Sequence, residues 1–289
     1  MLETKHSVLG PTVLAAAMAA CTVSLTPEDI LVGDEDFRRT DFTVLDIQDE
    51  DSLPSGTELL HEWLDSDIGP LALTWAHQSG SRKADRLIVY CMGNMTDRQS
   101  DGADYLAGVV PFGDAIIFDY PGYGDSAGPV SLDNFDIALG AVAERVAAEP
   151  YEEIVLWGHS MGGILCPRLA SRLQREADHI VFEATFSGVD AVTRYALPWY
   201  MKPFIRLKID ERFLAYNSVA ELDGFGGSVT VLAAVKDKDL RITAVRDLAE
   251  KLETAGHDVQ YAEFEDAGHY DIAEQPDYVA RVSAALDWR

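Results

Sequence analysis

The chain has 289 residues, of which 47% are hydrophobic and 25% charged, a composition typical of a globular protein rather than a disordered or fibrous one. Acidic residues outnumber basic ones 49 to 23, which gives a formal net charge of −26. Because a strongly negative protein repels phosphate backbones, this charge argues against nucleic acid as a partner.

The N-terminal residues resemble a bacterial export signal. Lys5 and His6 precede an apolar run, Val8–Ala20, and Cys21 follows two alanines. A charged start, an apolar segment of roughly 7–15 residues and small residues before a cleavage point describe a secretory signal. The Ala-Ala-Cys sequence also resembles a lipobox, in which the signal peptide is removed before a Cys that becomes lipidated. Residues 1–20 are therefore predicted to be a lipoprotein signal peptide, and Cys21 the lipidated residue.

This interpretation places the protein in the periplasm or on a membrane, attached through lipidated Cys21. The alternative is a cytoplasmic protein in which the same residues form an ordinary N-terminal helix with a buried Cys. No stretch of the sequence reaches the roughly 18 apolar residues that a membrane-spanning helix needs. The residues after Cys21 are acidic and lack periodicity, so 21–41 is predicted to be a linker or irregular arm.

From Phe42 onward, short apolar runs alternate with longer segments that have helical spacing. Runs that are apolar on both faces are typical of buried parallel strands, and the alternating helices imply right-handed crossovers that cover the sheet. The predicted fold is one α/β domain over residues 42–289, with a mostly parallel, doubly wound sheet. The predicted strands are Leu87–Cys91, Ala115–Phe118, Ile154–Trp157, Ile180–Phe182, Val229–Val235 and Val259–Phe264, and the predicted helices are Leu132–Ala148, Met161–Gln174, Ala244–Thr254 and Tyr278–Trp288.

The interval from about residue 185 to residue 227 breaks this alternation. It is rich in aromatic residues and proline and has no signal of a central strand. Leaving that many aromatic side chains in water would be costly, which favours a small cap over the carboxyl ends of the strands. A long irregular surface loop is the alternative.

Two pentapeptides, Gly124–Gly128 and Gly158–Gly162, match the nucleophile-elbow pattern Gly-x-Ser-x-Gly. In that geometry a serine lies on a strained turn between a strand and a helix, where a base can reach its hydroxyl. Ser160 follows a predicted strand and precedes a predicted helix, whereas a Pro- and Gly-containing segment separates Ser126 from its strand. Ser160 is therefore the predicted nucleophile, and Ser126 a loop residue.

A serine nucleophile needs a base and a carboxylate that orients the base. Of the seven histidines, His269 lies just past the last predicted strand, where such folds place functional groups. The loop after the preceding strand offers Asp237 and Asp239, and the distance of Asp239 from the strand favours it over Asp237. The resulting order of Ser, Asp and His along the chain differs from those of chymotrypsin and subtilisin.

Acyl transfer also needs hydrogen-bond donors for the oxyanion. The backbone N–H of Met161, at the start of the predicted helix, is one candidate. The loop Met92–Met95 offers the other, with Asn94 favoured and Met95 second. An ordinary turn between a strand and a helix is the alternative for this loop.

These residues resemble the α/β-hydrolase superfamily, and within it the Bem46-like and ABHD13-like hydrolases, which are grouped near the serine aminopeptidases. The resemblance spans about Phe42–Arg289 and includes the elbow around Ser160. Phe118–Ser126 is similar to the family sequence Asp-Tyr-Arg-Gly-Tyr-Gly-Lys-Ser, and Met92–Met95 is similar to its His-Gly-Asn-Ala. Glu183–Phe186 resembles the start of the family's short cap.

The resemblance implies a serine hydrolase that cleaves carboxylic esters through an acyl-enzyme on Ser160. His269 would transfer the proton, Asp239 would hold the imidazole tautomer, and Met161 and Asn94 would stabilise the oxyanion. The implied partner is a small-molecule ester with a small or medium acyl group, and no metal or organic cofactor is implied. The alternatives are an aminopeptidase or amidase, a lysophospholipase or thioesterase, an acyltransferase, a haloperoxidase-like enzyme, or a catalytically silent binding protein on the same scaffold.

Overall fold

The computed structural model describes residues 21–31, 47–78, 85–196, 200–201 and 204–287. The predicted signal peptide, residues 1–20, lies outside these ranges. Every helix within them is too short or too polar to cross a lipid bilayer. The strands are β1 (Cys21–Leu25), β2 (Thr57–Leu64), β3 (Leu71–Gln78), β4 (Arg86–Cys91), β5 (Asp114–Phe118), β6 (Glu153–His159), β7 (His179–Glu183), β8 (Ile205–Ile209), β9 (Ser228–Ala234) and β10 (Val259–Phe264). The α-helices are α1 (Pro27–Ile30), α2 (Arg98–Val109), α3 (Leu132–Ala147), α4 (Gly162–Ala170), α5 (Val189–Ala196), α6 (Glu211–Leu214), α7 (Ser218–Glu221), α8 (Ile242–Thr254) and α9 (Tyr278–Leu286).

Eight strands form the main sheet, in the spatial order β10-β9-β7-β6-β4-β5-β3-β2. Neighbours are parallel from β10 to β5, whereas β3 is antiparallel to both β5 and β2. The prediction of a mostly parallel, doubly wound α/β sheet is confirmed. Because parallel strands end at the same edge of a sheet, the loops that carry Asn94, Ser160, Asp237 and His269 follow β4, β6, β9 and β10 at one edge.

The central strands are apolar on both faces because both faces are covered. Every residue of β4 and β5 is buried. At the edge of the sheet, β2 instead alternates half-buried and exposed residues over its first half, and Glu62 accepts a hydrogen bond from Trp75 Nε1 at 2.8 Å. The strands β2 and β3 are absent from the predicted set, since polar and charged residues interrupt the apolar runs by which buried strands are recognised.

Between β7 and β9 lie α5, β8, α6 and α7, in the interval that the sequence assigns to a cap. The strand β8 forms a separate two-stranded parallel sheet with β1, in a register that pairs Cys21 with Ile205 and Leu25 with Ile209. Residues 21–31 therefore depart from the predicted linker, because they form β1 and α1. The partner of β1 lies far away in the sequence, so local periodicity does not reveal the pairing.

Candidate active site

Ser160 occupies a tight turn between β6 and α4. Its φ is 53°, in the left-handed region that few residues other than glycine adopt. Its backbone N–H donates to the carbonyl oxygen of Glu183 at 3.0 Å, and its own carbonyl oxygen accepts from the Gly163 N–H at 3.0 Å. A strained serine on a sharp turn from strand to helix is the geometry of a nucleophile elbow.

Two glycines permit the close approach of the chain at this elbow. A methyl group on Gly162 would overlap the carbonyl oxygen of Cys91, and one on Gly158 would overlap the carbonyl oxygen of Gly162. Any larger side chain would separate α4 from the end of β4. The two glycines of the pentapeptide are therefore required for a steric reason, because α4 begins directly against the end of β4, the strand that precedes the Asn94 loop.

Ser126, in the second matching pentapeptide, is held in a different environment. Its side chain is buried, its hydroxyl donates to the carbonyl oxygen of Asp119 at 2.7 Å, and its Oγ accepts from the Ala72 N–H at 2.9 Å. The first bond lies within the loop after β5, and the second ties that loop to the start of β3. Ser126 therefore has a structural role in this loop, as its sequence context predicts.

The base predicted from the sequence, His269, is paired with a carboxylate. Its Nδ1 lies 2.6 Å from Oδ2 of Asp237, and both side chains are nearly inaccessible to solvent. The second oxygen of Asp237 accepts the backbone N–H groups of Asp239 and Leu240 at 2.8 and 2.7 Å. These bonds fix the carboxylate, which in turn fixes the orientation of the imidazole.

This pairing corrects the preference for Asp239 as the orienting acid. Asp239 borders the same cavity as His269 but is exposed, and the hydrogen bond to the imidazole comes from Asp237. The physical reason is the turn after β9, in which the Asp237 side chain caps the following backbone N–H groups. That turn directs the Asp237 carboxylate towards His269, whereas Asp239 remains exposed at the cavity.

Asp237, Asp239 and His269 also bring one potential ligand atom each within 4.8 Å of one another, an arrangement that could in principle hold a cation. The distance between His269 and Asp237 argues for a hydrogen bond instead. Two ligands of a tetrahedral metal with bonds of about 2.0–2.1 Å lie about 3.3 Å apart. The observed 2.6 Å is instead close to the roughly 2.7–2.9 Å of a hydrogen bond from an N–H group to a carboxylate.

His159 packs against His269 and is hydrogen-bonded to its backbone, a contact that the sequence does not reveal. It is buried, and its Nε2 donates to the backbone carbonyl oxygen of His269 at 2.9 Å. The two imidazole rings lie 4.8 Å apart. Burial, and then the neighbouring His269, lower the pKa of His159 to about 3, so this imidazole stays neutral. The one sequence feature that could have indicated this contact is the position of His159 directly before Ser160.

Glu183 is a buried carboxylate beneath the elbow. Its Oε2 accepts hydrogen bonds from Trp157 Nε1 at 2.5 Å and from the Tyr90 hydroxyl at 3.5 Å. Burial raises the pKa of Glu183 to about 6, against the opposing effect of the Trp157 hydrogen bond. Since its backbone carbonyl also receives the Ser160 N–H, Glu183 connects the end of β7 to the elbow.

The two predicted oxyanion donors border the same cavity as Ser160. Met161 directly precedes α4, where the backbone N–H groups have no partner within the helix. Asn94 is clamped through its side chain, which donates to the Ile30 carbonyl oxygen at 2.9 Å and accepts from the Tyr123 hydroxyl at 2.6 Å. Met95, the second choice, has a φ of 60° and a side chain that is 70% exposed.

The cavity beside Ser160, called the Ser160 cavity below, has a volume of about 350 Å³. That is near the lower end of the range for small-molecule sites, about 300–1,000 Å³. Within the described residues, His269 is hydrogen-bonded to Asp237 but not to Ser160, and catalytic hydrogen bonds of this kind often tighten only when substrate binds. The residues that line the Ser160 cavity are Leu25, Ile30, Asn94, Ser160, Met161, Ile164, Phe186, Val189, Val192, Thr193, Phe213, Asp239, Leu240 and His269.

Comparison with known proteins agrees with this architecture. The sequence profile described as "Alpha/beta hydrolase family" matches residues 96–231. A protein of Mycobacterium tuberculosis described as uncharacterised is 26% identical over 224 residues, which cover 76% of this chain and 74% of that protein. An esterase from Pyrococcus furiosus has a similar structure, with a TM-score of 0.61 and 19% identity over 84% of this chain and 94% of its own.

A second structural neighbour is a peptidase rather than an esterase. It is an acylaminoacyl peptidase from Pyrococcus horikoshii, with a TM-score of 0.58 and 15% identity over 81% of this chain and 41% of its own. At these identities the likeness shows a shared fold. The chain thus has the α/β-hydrolase fold, and its residues 96–231 are similar to the α/β-hydrolase family.

Proposed function

We propose that the protein is a serine hydrolase that cleaves carboxylic esters through an acyl-enzyme formed on Ser160. The observation that carries the proposal is that Ser160, on its elbow, borders the same apolar cavity as His269, which is bonded to Asp237. The family match and the esterase of similar fold support a hydrolytic reaction. The finer placement near the Bem46-like and ABHD13-like hydrolases rests on sequence motifs alone.

In this mechanism, Ser160 Oγ attacks the ester carbonyl carbon while its proton passes to Nε2 of His269. Asp237 accepts the Nδ1–H of His269 and so selects the tautomer whose Nε2 is a free base. The N–H groups of Met161 and Asn94 donate to the oxyanion, each worth on the order of 10²–10³-fold in rate. The intermediate then collapses, the alcohol leaves with the proton from His269, and water hydrolyses the acyl-enzyme by the same route.

The lining of the Ser160 cavity favours an aliphatic acyl group. Apart from the catalytic side chains, the side chains around it are mainly aliphatic or aromatic. A polar acyl group would lose its hydration against these apolar side chains, and Asp239 is the one charged residue of the lining besides His269 that could compensate for it. The peptidase of similar fold keeps amide cleavage as an alternative outcome of the test.

The test compares p-nitrophenyl esters with amino-acid p-nitroanilides for the wild type, Ser160→Ala and Ser126→Ala, with rates normalised to folded protein. We expect the wild type to cleave esters, Ser160→Ala to lose on the order of 10⁴-fold or more, and Ser126→Ala to keep its activity. Equal ester hydrolysis by the wild type and Ser160→Ala would refute the nucleophile. Faster cleavage of anilides than of esters would reassign the enzyme to the amidases.

We also propose export and lipidation at Cys21. The support is the sequence pattern before this residue, together with its position as the first residue of β1, so that cleavage before Cys21 would leave β1 whole. We expect the wild type in the membrane fraction of bacterial cells and Cys21→Ser in the soluble fraction. The same distribution for both proteins would contradict lipidation.

A further inference from the structure

We propose that residues 21–31, called the N-terminal segment below, form part of the acyl-binding site and set the length of the acyl chain that the enzyme accepts. This inference rests on the proposed function of Ser160. It assigns a substrate-binding role to residues that the sequence alone presents as an acidic linker.

The N-terminal segment is anchored to the cap and to the core. All five residues of β1 pair with β8, and the Leu25 carbonyl oxygen accepts the Asp210 N–H at 2.9 Å. At the other end, Leu31 is buried in the hydrophobic core with 5% of its surface exposed. Between these anchors, Asp29 Oδ2 accepts the Thr26 N–H at 2.8 Å and so closes the turn that begins α1. The N-terminal segment is therefore held in a defined position at both of its ends.

Two side chains of the N-terminal segment form one wall of the Ser160 cavity. Leu25 and Ile30 line it together with cap residues, among them Val192 and Phe213. The cavity is thus bounded partly by a segment that precedes the hydrolase domain in the sequence. Because these walls are apolar, an acyl chain that extends from the carbonyl at Ser160 would be buried against Leu25 and Ile30.

The same segment also holds the oxyanion loop. The Ile30 carbonyl oxygen accepts from Asn94 Nδ2 at 2.9 Å, while Tyr123 donates to the other end of the Asn94 amide at 2.6 Å. Asn94 is therefore clamped between α1 and the loop after β5. Ile30 thus lines the cavity and also holds Asn94 through its backbone carbonyl. The position of the N-terminal segment therefore affects both the binding of the acyl chain and the orientation of the oxyanion donor.

These contacts favour one class of substrate, the esters of short to medium aliphatic acids. Each methylene that enters an apolar site raises kcat/KM by about fourfold. That gain ends where the chain meets the wall formed by Leu25 and Ile30. Removing part of this wall should move the optimum to longer chains, and adding to it should move the optimum to shorter ones.

The experiment measures kcat/KM for p-nitrophenyl esters from acetate to dodecanoate. The variants are Ile30→Ala and Leu25→Ala, which shorten the wall, and Ile30→Trp, which fills the cavity. The matched control is Val23→Ala, in the same strand as Leu25 but 40% exposed and outside the cavity lining. We expect the alanine variants at Ile30 and Leu25 to favour longer esters, with the ratio of long-chain to short-chain kcat/KM raised roughly tenfold. Ile30→Trp should lower that ratio, and Val23→Ala should match the wild type.

A merely structural role for the segment would lower all rates together and leave the ratio of chain lengths unchanged. That result in the Ile30 and Leu25 variants, with an active wild type, would overturn the inference while leaving the Ser160 mechanism in place. A wild type that hydrolyses none of the esters would instead refute the proposed function. If the alanine variants do not fold, an unchanged ratio in Ile30→Trp overturns the inference by itself.

Discussion

At the scale of single residues, the orientation of one imidazole depends on which of two neighbouring carboxylates it meets. Asp237 is bonded to His269 and to two backbone N–H groups, whereas Asp239 is exposed. The sequence narrows the acid to this pair but ranks them in the wrong order. The choice depends on the turn after β9, whose hydrogen bonds are made by the Asp237 side chain itself and are not encoded in the spacing.

Exchanging each carboxylate for its amide separates the two residues. We expect Asp237→Asn to lower kcat on the order of 10⁴-fold, because an amide that donates to Nδ1 favours the wrong tautomer of His269. Asp239→Asn should stay within a few-fold of the wild type, since it removes only an exposed charge. Steady-state kinetics on a p-nitrophenyl ester give the answer. A larger loss in Asp239→Asn than in Asp237→Asn would restore the order favoured by the sequence.

At the scale of elements, the elbow is the junction at which β6, α4 and the end of β4 meet. The glycine pattern identifies this junction in the sequence because only glycine permits the approach of Gly162 to the Cys91 carbonyl. The interval 185–227, which the sequence predicts to be a cap, stands out by its aromatic content. The pairing of β1 with β8 is not recognisable, because two short strands far apart in the chain give no periodic signal.

Two glycine-to-alanine substitutions test the junction against an ordinary helix position. Gly162→Ala should destabilise the fold and abolish activity, because its methyl group would overlap the backbone at Cys91. Gly140→Ala, inside α3, meets no atom within 4 Å and should stabilise the protein by about 0.5–1 kcal/mol. Urea unfolding measures both free energies. Equal stability of the two variants would show that the approach at Gly162 is not as close as described.

At the scale of the whole molecule, two buried histidines make stability depend on pH. Burial is the main cause that lowers the pKa of His159 to about 3 and that of His179 to about 4. The unfolded chain takes up protons below about pH 6.5, where the folded protein leaves these residues neutral. Stability that is fully present above about pH 6.5 is therefore lost as the pH falls towards the folded-state values.

A substitution at His179 isolates one of these contributions. His179 lies at the start of β7, and its Nε2 is 2.7 Å from Thr230 Oγ1. As the pH drops from about 6 to about 5, the unfolding free energy of His179→Gln should fall less steeply than that of the wild type. The two slopes should differ by about 1.4 kcal/mol per pH unit. Glu183 acts with the opposite sign, since its raised pKa of about 6 makes stability fall as the pH rises from about 4.5 to 6. Glu183 is present in both proteins and cancels in the difference. Parallel curves for the wild type and His179→Gln would contradict a neutral buried His179.

The fold of the whole molecule follows from the sequence more completely than its site does. Two-sided apolar runs that alternate with helical segments are a direct consequence of a sheet covered on both faces, and β4, β5 and β6 are of this kind. The site combines loops from four strands with the N-terminal segment. Its contacts between Asn94 and Ile30, and between His159 and His269, join residues that no local pattern connects.

The central claim is that Ser160 is a nucleophile activated by His269 and Asp237. The most direct measurement is intact-protein and peptide mass spectrometry after treatment with a fluorophosphonate, which reacts covalently with activated serines. We predict a single adduct on Ser160 in the wild type, its loss in Ser160→Ala, its retention in Ser126→Ala, and much slower formation in Asp237→Asn. An unlabelled wild type, or an adduct that persists in Ser160→Ala, would contradict the claim.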